Sequence, residues 1–133
     1  MLCITNNEAR RSILLVDGTR RDPDAARLLF EAEGFRVLSA SSFDEAKQLM
    51  RADPPDVLIT EPKLGQYNGL HLVLRSRLDH PRMGVIVMSH FADACLAEEA
   101  ARQHAAFLVR PVGDRELLDA VNHALEGEGE VAR

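Results

Sequence analysis

The feature that most constrains the fold is a regular alternation between five short apolar runs and segments with helical periodicity. The runs are residues 12–17, 35–40, 56–60, 85–89 and 106–110. Each has the length and the β-branched or aromatic character of a strand. Three of them are almost continuously apolar, as is typical of parallel strands covered by helices on both faces. The alternation therefore predicts five strand–helix units in a row.

Start and stop signals mark the helices between these runs. Pro23 follows an N-cap residue, as expected at a first helical position, and Gly34 predicts the end of that helix. Ser42 and Glu45 have the spacing of a capping box. The third helix is expected from Gly69 to about Leu78. The predicted N-caps are Asp22, Ser42 and Asp114, and the fourth helix is expected to begin at Asp93 and to run to about Gln103.

Five such units predict an α/β fold: a single, doubly wound, five-stranded parallel sheet with helices on both faces. We expect one domain over residues 11–126, with a flexible tail at 1–10. Residues 127–133 read "GEGEVAR". Glycine and charge predict a second flexible tail there, or the start of a linker.

Composition excludes several classes of function. The chain has 133 residues, 46% of them hydrophobic, and a formal net charge of −5. This acidic balance argues against a nucleic-acid-binding face. Cys3 and Cys95 lie far apart, without disulfide or zinc spacing. No apolar run is long enough to cross a bilayer, and we predict a cytoplasmic protein with no membrane contact.

Polar residues follow four of the five predicted strands. In open parallel sheets, ligands bind beyond the carboxyl ends of the strands. The residues at those ends are Asp17-Gly18, Thr60-Glu61, Ser89-His90 and Arg110-Pro111. Two acids, a hydroxyl and a base are therefore expected to converge on one pocket.

This ordered set resembles the receiver domain of two-component response regulators, the CheY-like family. The matching segments are "ILLVDG", "DVLITEPKLGQYNGL", "VIVMS" and "FLVRP". The resemblance covers about residues 11–126 and implies strand order 2-1-3-4-5. It also implies that an aspartate accepts a phosphoryl group from a histidine kinase with the help of Mg²⁺. A lysine, a hydroxyl and an aromatic residue then transmit the change.

When the resemblance is carried over to this chain, unusual residues stand at positions that the family uses for phosphoryl transfer. Glu61 stands where the phospho-accepting aspartate belongs, and Gly18 replaces one acid of a pair in which Asp17 remains. Arg110 replaces the lysine. Ser89 and Phe107 are retained. A vestigial Mg²⁺ site would consist of Asp17, Glu61 and the backbone carbonyl of Lys63.

These departures predict that the pocket is not phosphorylated and that Mg²⁺ binds weakly or not at all. Glutamate is one methylene longer than aspartate, and in-line phosphoryl transfer tolerates displacements of ~1 Å poorly. A guanidinium pairs with carboxylates through a planar fork, so a bridge from Arg110 to Glu61, shared with Asp17, is expected. His90 is expected to cover part of the pocket. Gln103 stands where a glycine commonly ends the fourth helix of the family.

The favoured function is an atypical receiver, or pseudo-receiver, that acts as a protein-interaction module through the face of helix 4, strand 5 and helix 5. The alternative is a phosphorylatable receiver with weakened Mg²⁺-dependent chemistry. Either could belong to a larger regulator, with a histidine kinase or an output domain as partner. Homodimer formation stays open. So does the question whether Glu61 mimics a phosphorylated aspartate or is only structural.

An enzymatic function is not expected. "LLVDGT" is similar to the DxDGT motif of haloacid-dehalogenase-like phosphatases, but Leu15 occupies the place of their nucleophile. The turn after the first strand has neither a P-loop nor GxGxxG spacing.

Overall fold

The computed structural model describes residues 11–17, 23–64 and 67–127. The strands of the main sheet are β1 (Ser12–Val16), β2 (Arg36–Ala40), β3 (Val57–Thr60), β4 (Gly84–Ser89) and β5 (Ala106–Val109). The helices are α1 (Pro23–Ala32), α2 (Phe43–Ala52), α3 (Gly69–Asp79), α4 (Ala94–Arg102) and α5 (Asp114–Gly127). The predicted tail at 1–10, the N-cap Asp22, Gly18 and residues 128–133 of the second predicted tail lie outside the described residues. Gly127, the first residue predicted for that tail, is instead the last residue of α5.

The five strands form one parallel sheet in the order β2-β1-β3-β4-β5. This confirms the predicted fold class and strand order. A short antiparallel hairpin, Lys63–Leu64 with Tyr67–Asn68, follows β3 and leads into α3. Among the described residues, no helix combines the length and apolarity needed to span a membrane.

The side chains of the sheet alternate between two apolar layers. Leu14, Leu58 and Val85 pack on one face against residues of α2, α3 and α4. Ile13 and Ile59 pack on the other face against α1 and α5. Because both faces are covered, β1, β3 and β4 are buried along their whole length, and their sequences are apolar except for Ser12, Thr60, Gly84 and Ser89. The side-chain period of two that marks a half-exposed strand is absent from them.

The end of α1 and the start of α2 have capping interactions at the predicted residues. Gly34 has φ +93°, and the N–H of Phe35 donates to the carbonyl of Phe30 in a Schellman motif. The Phe30 and Phe35 rings meet edge to face, 6.1 Å apart. Ser42 Oγ accepts from the backbone N–H of Glu45 at 3.1 Å. The Glu45 carboxylate reaches Ser41 N rather than the N-cap N–H, a variant of the capping box.

Asp93 is the N-cap of α4, with Oδ1 accepting from the backbone N–H groups of Cys95 and Leu96. The prediction that Asp114 caps α5 was wrong by one residue. The helix begins at Asp114, and the carbonyl of Gly113 accepts from the N–H of Leu117. Asp114 therefore lies in the first turn, where its negative charge is favourable beside the helix dipole.

The end of α4 also differs from the expectation that Gln103 takes the position of a helix-ending glycine. Gln103 is the C-cap with an ordinary φ of −91°, and the next residue, His104, has φ +58°. The N–H of Ala105 donates to the carbonyl of Ala100, and the N–H of His104 to that of Ala101. The position that favours glycine is therefore His104, and the helix still closes with a Schellman motif.

Candidate functional site

The carboxyl ends of β1, β3, β4 and β5 bring the predicted site residues to one edge of the sheet. Backbone hydrogen bonds continue past the strand ends: Glu61 N donates to Val16 O at 3.3 Å, and Arg110 N to Ser89 O at 2.7 Å. Asp17 N donates to Ala40 O at 3.0 Å. These bonds fix the backbone beneath each functional side chain.

A small cavity of about 50 Å³ lies at this edge, between α1 and α5. Its polar lining consists of Asp17, Thr60, Glu61 and Arg110. The remaining lining residues are apolar: Leu15, Val16, Ala26, Ile59, Met88 and Leu117. The volume suffices for a few water molecules. Ser89 and Phe107, although close in sequence to the lining residues, are not among them.

Glu61 is buried, with its side chain 5% exposed. His90 Nε2 lies 3.4 Å from Glu61 Oε2, and its half-exposed imidazole separates the carboxylate from solvent on that side. The contact is an ion pair when His90 is protonated. Because β3 and β4 are neighbours in the sheet, the residues just beyond their ends meet directly. His90 is not among the residues that line the cavity, so the covering of the pocket by His90 stays a prediction.

Arg110 contacts Asp17 rather than Glu61. Arg110 Nη2 lies 3.9 Å from Asp17 Oδ2, a distance that allows ionic attraction without a hydrogen bond. The predicted Arg110–Glu61 bridge is not among the ion pairs of the described residues, so only its Asp17 part is found. Arg110 Nε is buried without a hydrogen-bond acceptor among the described residues.

Ser89 and Phe107 lie close to the pocket but have other contacts. Ser89 Oγ donates to the carbonyl of Phe91 at 2.9 Å and accepts from the N–H of Phe91 at 3.0 Å. A hydroxyl has one O–H, so it cannot also donate to Glu61. Phe107 is half-buried and packs against the apolar layer on the α2, α3 and α4 side.

Gly69 holds the loop after β3 against the site, and sequence reasoning gave it no role there. A Cβ on Gly69 would overlap the carbonyl oxygen of Glu61 and lie 3.2 Å from Thr60 Oγ1. The N–H of Gly69 donates to the carbonyl of Pro62 at 2.8 Å, and Thr60 Oγ1 donates to the carbonyl of Glu61 at 3.0 Å. The signal in the sequence was a glycine at the start of a predicted helix, where an N-cap or first-turn residue with a side chain is usual.

With this geometry established, the chain can be compared with known proteins. The sequence profile of the response regulator receiver domain family matches residues 13–122. The chain belongs to this family. The match spans the sheet except for Ser12, the first residue of β1. It includes the site residues Asp17, Glu61, Ser89, Phe107 and Arg110.

Two curated relatives are transcriptional regulatory proteins. This receiver is 32% identical over 127 residues to the alginate biosynthesis transcriptional regulatory protein AlgB of Pseudomonas syringae pv. tomato, covering 95% of this chain and 28% of that protein. It is 29% identical over 128 residues to the hydrogenase transcriptional regulatory protein HoxA of Cupriavidus necator, covering 92% of this chain and 26% of that protein. The chain thus spans about a quarter of the length of these relatives.

A solved CheY-like receiver domain from Methanospirillum hungatei JF-1 has the same fold. The two superpose with a TM-score of 0.84 at 22% sequence identity, over 92% of this chain and 98% of that one. At this identity the likeness extends to the fold alone.

The donor groups of this receiver fit Mg²⁺ poorly. The ion takes near-octahedral oxygen ligands and is usually held by one or two carboxylates with water. Here the guanidinium of Arg110 stands beside Asp17, and the imidazole of His90 stands beside Glu61. Gly18 contributes no carboxylate. Cationic or neutral nitrogen groups therefore occupy the space around both carboxylates.

Proposed function

We propose that this receiver is a pseudo-receiver that acts as a protein-interaction module without being phosphorylated. The observation that carries the proposal is the pair of nitrogen groups that lie beside the two acids. Glu61 occupies the acceptor position and contacts His90, while Arg110 lies 3.9 Å from Asp17. The guanidinium of Arg110 thus supplies beside Asp17 a positive charge that Mg²⁺ would supply in a phosphorylatable receiver.

Three physical consequences support the proposal. An incoming Mg²⁺ would meet the guanidinium of Arg110 beside Asp17, and two like charges repel each other. An in-line donor would have to reach a carboxylate that is 5% exposed and lies beneath an imidazole. The extra methylene of Glu61 also moves the attacking oxygen away from the position that an aspartate would give it. Each of these effects slows transfer, and they act together.

The arrangement of the pocket therefore does not depend on phosphorylation. Ser89 donates its single O–H to Phe91, so Glu61 does not recruit the hydroxyl as a phosphoryl group would. Glu61 acts as the structural partner of His90 rather than as a mimic of a phosphorylated aspartate. The loop from Ser89 to Phe91 has one arrangement, and the surface around it does not depend on phosphate.

The proposed partner surface is the face of α4, β5 and α5. Phe91, in the loop before α4, is 76% exposed, and Val109, at the end of β5, is partly exposed. Exposed apolar residues at a loop tip and a strand end suit protein contact. We propose a histidine kinase or an output domain as the partner, in a cytoplasmic setting and without nucleic-acid contact by this domain. Homodimer formation through this face is a further option.

The relatives favour a place within a larger regulator. AlgB and HoxA are transcriptional regulatory proteins about four times as long as the matched region. We propose that residues 11–126 are the receiver of such a regulator. Residues 127–133 would then begin the linker to its output domain.

A second candidate is a receiver that is phosphorylated slowly. The observation that favours it is the retention of Asp17, Ser89 and Phe107 at their family positions. The two candidates differ in whether the pocket responds to a phosphoryl analogue.

The test is amide NMR of the isotopically labelled protein with Mg²⁺ and beryllofluoride. We expect no shifts at Glu61, Ser89 or Phe107. The comparison protein carries Gly18→Asp, Glu61→Asp and Arg110→Lys, which restore the family residues, and it should respond at these positions. Saturable shifts around Glu61 in the unmodified chain would establish the second candidate instead.

A further inference from the structure

Arg77, on α3, is a partly buried cation that has no counter-ion among the residues that the structure describes. Its Nη2 donates to the backbone carbonyl of His104 at 3.0 Å, and its Nε is buried without an acceptor among the described residues. The ion pairs formed by the described residues do not include Arg77. Burial lowers the pKa of Arg77 because the charged form loses hydration. The guanidinium nevertheless stays protonated at neutral pH.

The hydrogen bond to His104 fixes the orientation of the Arg77 guanidinium. Arg77 spans from the C-terminal half of α3 to the turn between α4 and β5. An arginine fork has five N–H donors, and one bond to a carbonyl leaves most of them available. A positioned guanidinium with available donors is suited to bind a carboxylate.

Two leucines on the same helix lie exposed beside Arg77. Leu78 is 79% exposed and Leu74 is 45% exposed. Residues three and four apart on a helix are neighbours on its surface, so Leu74 adjoins both Arg77 and Leu78. A single exposed leucine needs no explanation, but two adjacent ones beside an uncompensated cation form an apolar patch with a charged anchor. Arginine is also among the residues that most often dominate binding energy in protein interfaces.

We propose that this patch, Leu74, Arg77 and Leu78 together with the α4–β5 turn, binds an amphipathic segment of a partner protein that presents one carboxylate to Arg77 between apolar side chains. Charge complementarity indicates a partner segment with a carboxylate, because the patch has one cation and no anion among these residues. A long acidic run is not required, and the net charge of −5 on this chain would repel one. The apolar flanks favour a protein segment over a small free anion.

This surface differs from the pocket at Glu61. None of its residues lines that cavity, and its three side chains lie on α3; it adjoins the face of α4, β5 and α5 at the α4–β5 turn. Failure of one proposal therefore leaves the other standing.

The test uses a synthetic helical peptide as the probe. The peptide has one glutamate with leucines four residues before it and three residues after it, and two matched peptides carry glutamine or lysine in place of the glutamate. Binding to the complete chain is followed by amide NMR. We expect shifts confined to residues 74–78 and 102–105. Affinity should fall about tenfold with the glutamine peptide and further with the lysine peptide.

Variants of the protein locate the site. Arg77→Gln should remove the preference for glutamate over glutamine. Leu78→Ser should weaken all three peptides about equally, and because Leu78 is so exposed this variant should fold normally. Arg115→Gln, an exposed position on α5, is the matched loss of charge and should change nothing. The proposal is overturned if no peptide shifts residues 74–78, if the three peptides bind alike, or if Leu78→Ser has no effect.

Discussion

Substitution of Gly69 by alanine should destabilise this receiver strongly, because the glycine touches the backbone of the acceptor residue. The new Cβ would overlap the carbonyl oxygen of Glu61 and lie 3.0 Å from its carbonyl carbon. Neither neighbour is a flexible side-chain end, so the start of α3 must move away from β3. Overpacking typically costs about 1–3 kcal/mol, and loss of the Gly69–Pro62 hydrogen bond adds about 1 kcal/mol. We expect a total of about 3 kcal/mol.

The assay is thermal unfolding followed by circular dichroism, where this loss corresponds to a fall in Tm of roughly 10 °C. Gly113→Ala is the matched control. Nothing lies within 4 Å of its Cβ, and its φ is not positive, so we expect a change below about 1 kcal/mol. If Gly69→Ala unfolds within about 1 kcal/mol of Gly113→Ala, the loop after β3 does not press on Glu61 as described.

Other predictions concern the helix ends and the core. His104→Gly should stabilise the protein by about 0.5–1 kcal/mol in urea unfolding, because it relieves a positive φ, whereas Gln103→Gly should destabilise it by a similar amount. Equal effects at the two positions would contradict the assignment of the helix end. Asp93→Ala should cost about 1 kcal/mol through loss of two hydrogen bonds at the start of α4, and an unchanged urea midpoint would refute this. Phe30→Ala should cost about 3–5 kcal/mol, since Phe30 is fully buried; a loss below 1 kcal/mol would contradict its place in the core.

The strands could be predicted closely because both faces of the sheet are covered. Burial on both sides leaves continuous apolar runs, and capping residues separate them from the helices. The start of β4 could not be predicted in this way. The strand begins at Gly84, a residue disfavoured in strands, because a Cβ there would come within 2.8 Å of the Ala124 side chain on α5. Such close approaches between distant elements leave no periodic pattern in a sequence.

The site could be predicted to the level of strand ends, but not to the level of side-chain pairs. The order of the strands determines which residues gather at the edge of the sheet, and the sequence patterns determine that order. In the structure, Arg110 pairs with Asp17 and His90 contacts Glu61. Which of several neighbouring side chains pair is set by the folded packing, and no sequence pattern records it. The same holds at the end of α4, where the positive φ falls on His104 rather than Gln103.

Intact-mass spectrometry after incubation with acetyl phosphate and Mg²⁺ tests most directly whether the pocket around Glu61 accepts a phosphoryl group. We predict that the unmodified chain gains no phosphoryl adduct under conditions in which the variant with Gly18→Asp, Glu61→Asp and Arg110→Lys does. A phosphoryl adduct on the unmodified chain that maps to Glu61 would contradict this prediction.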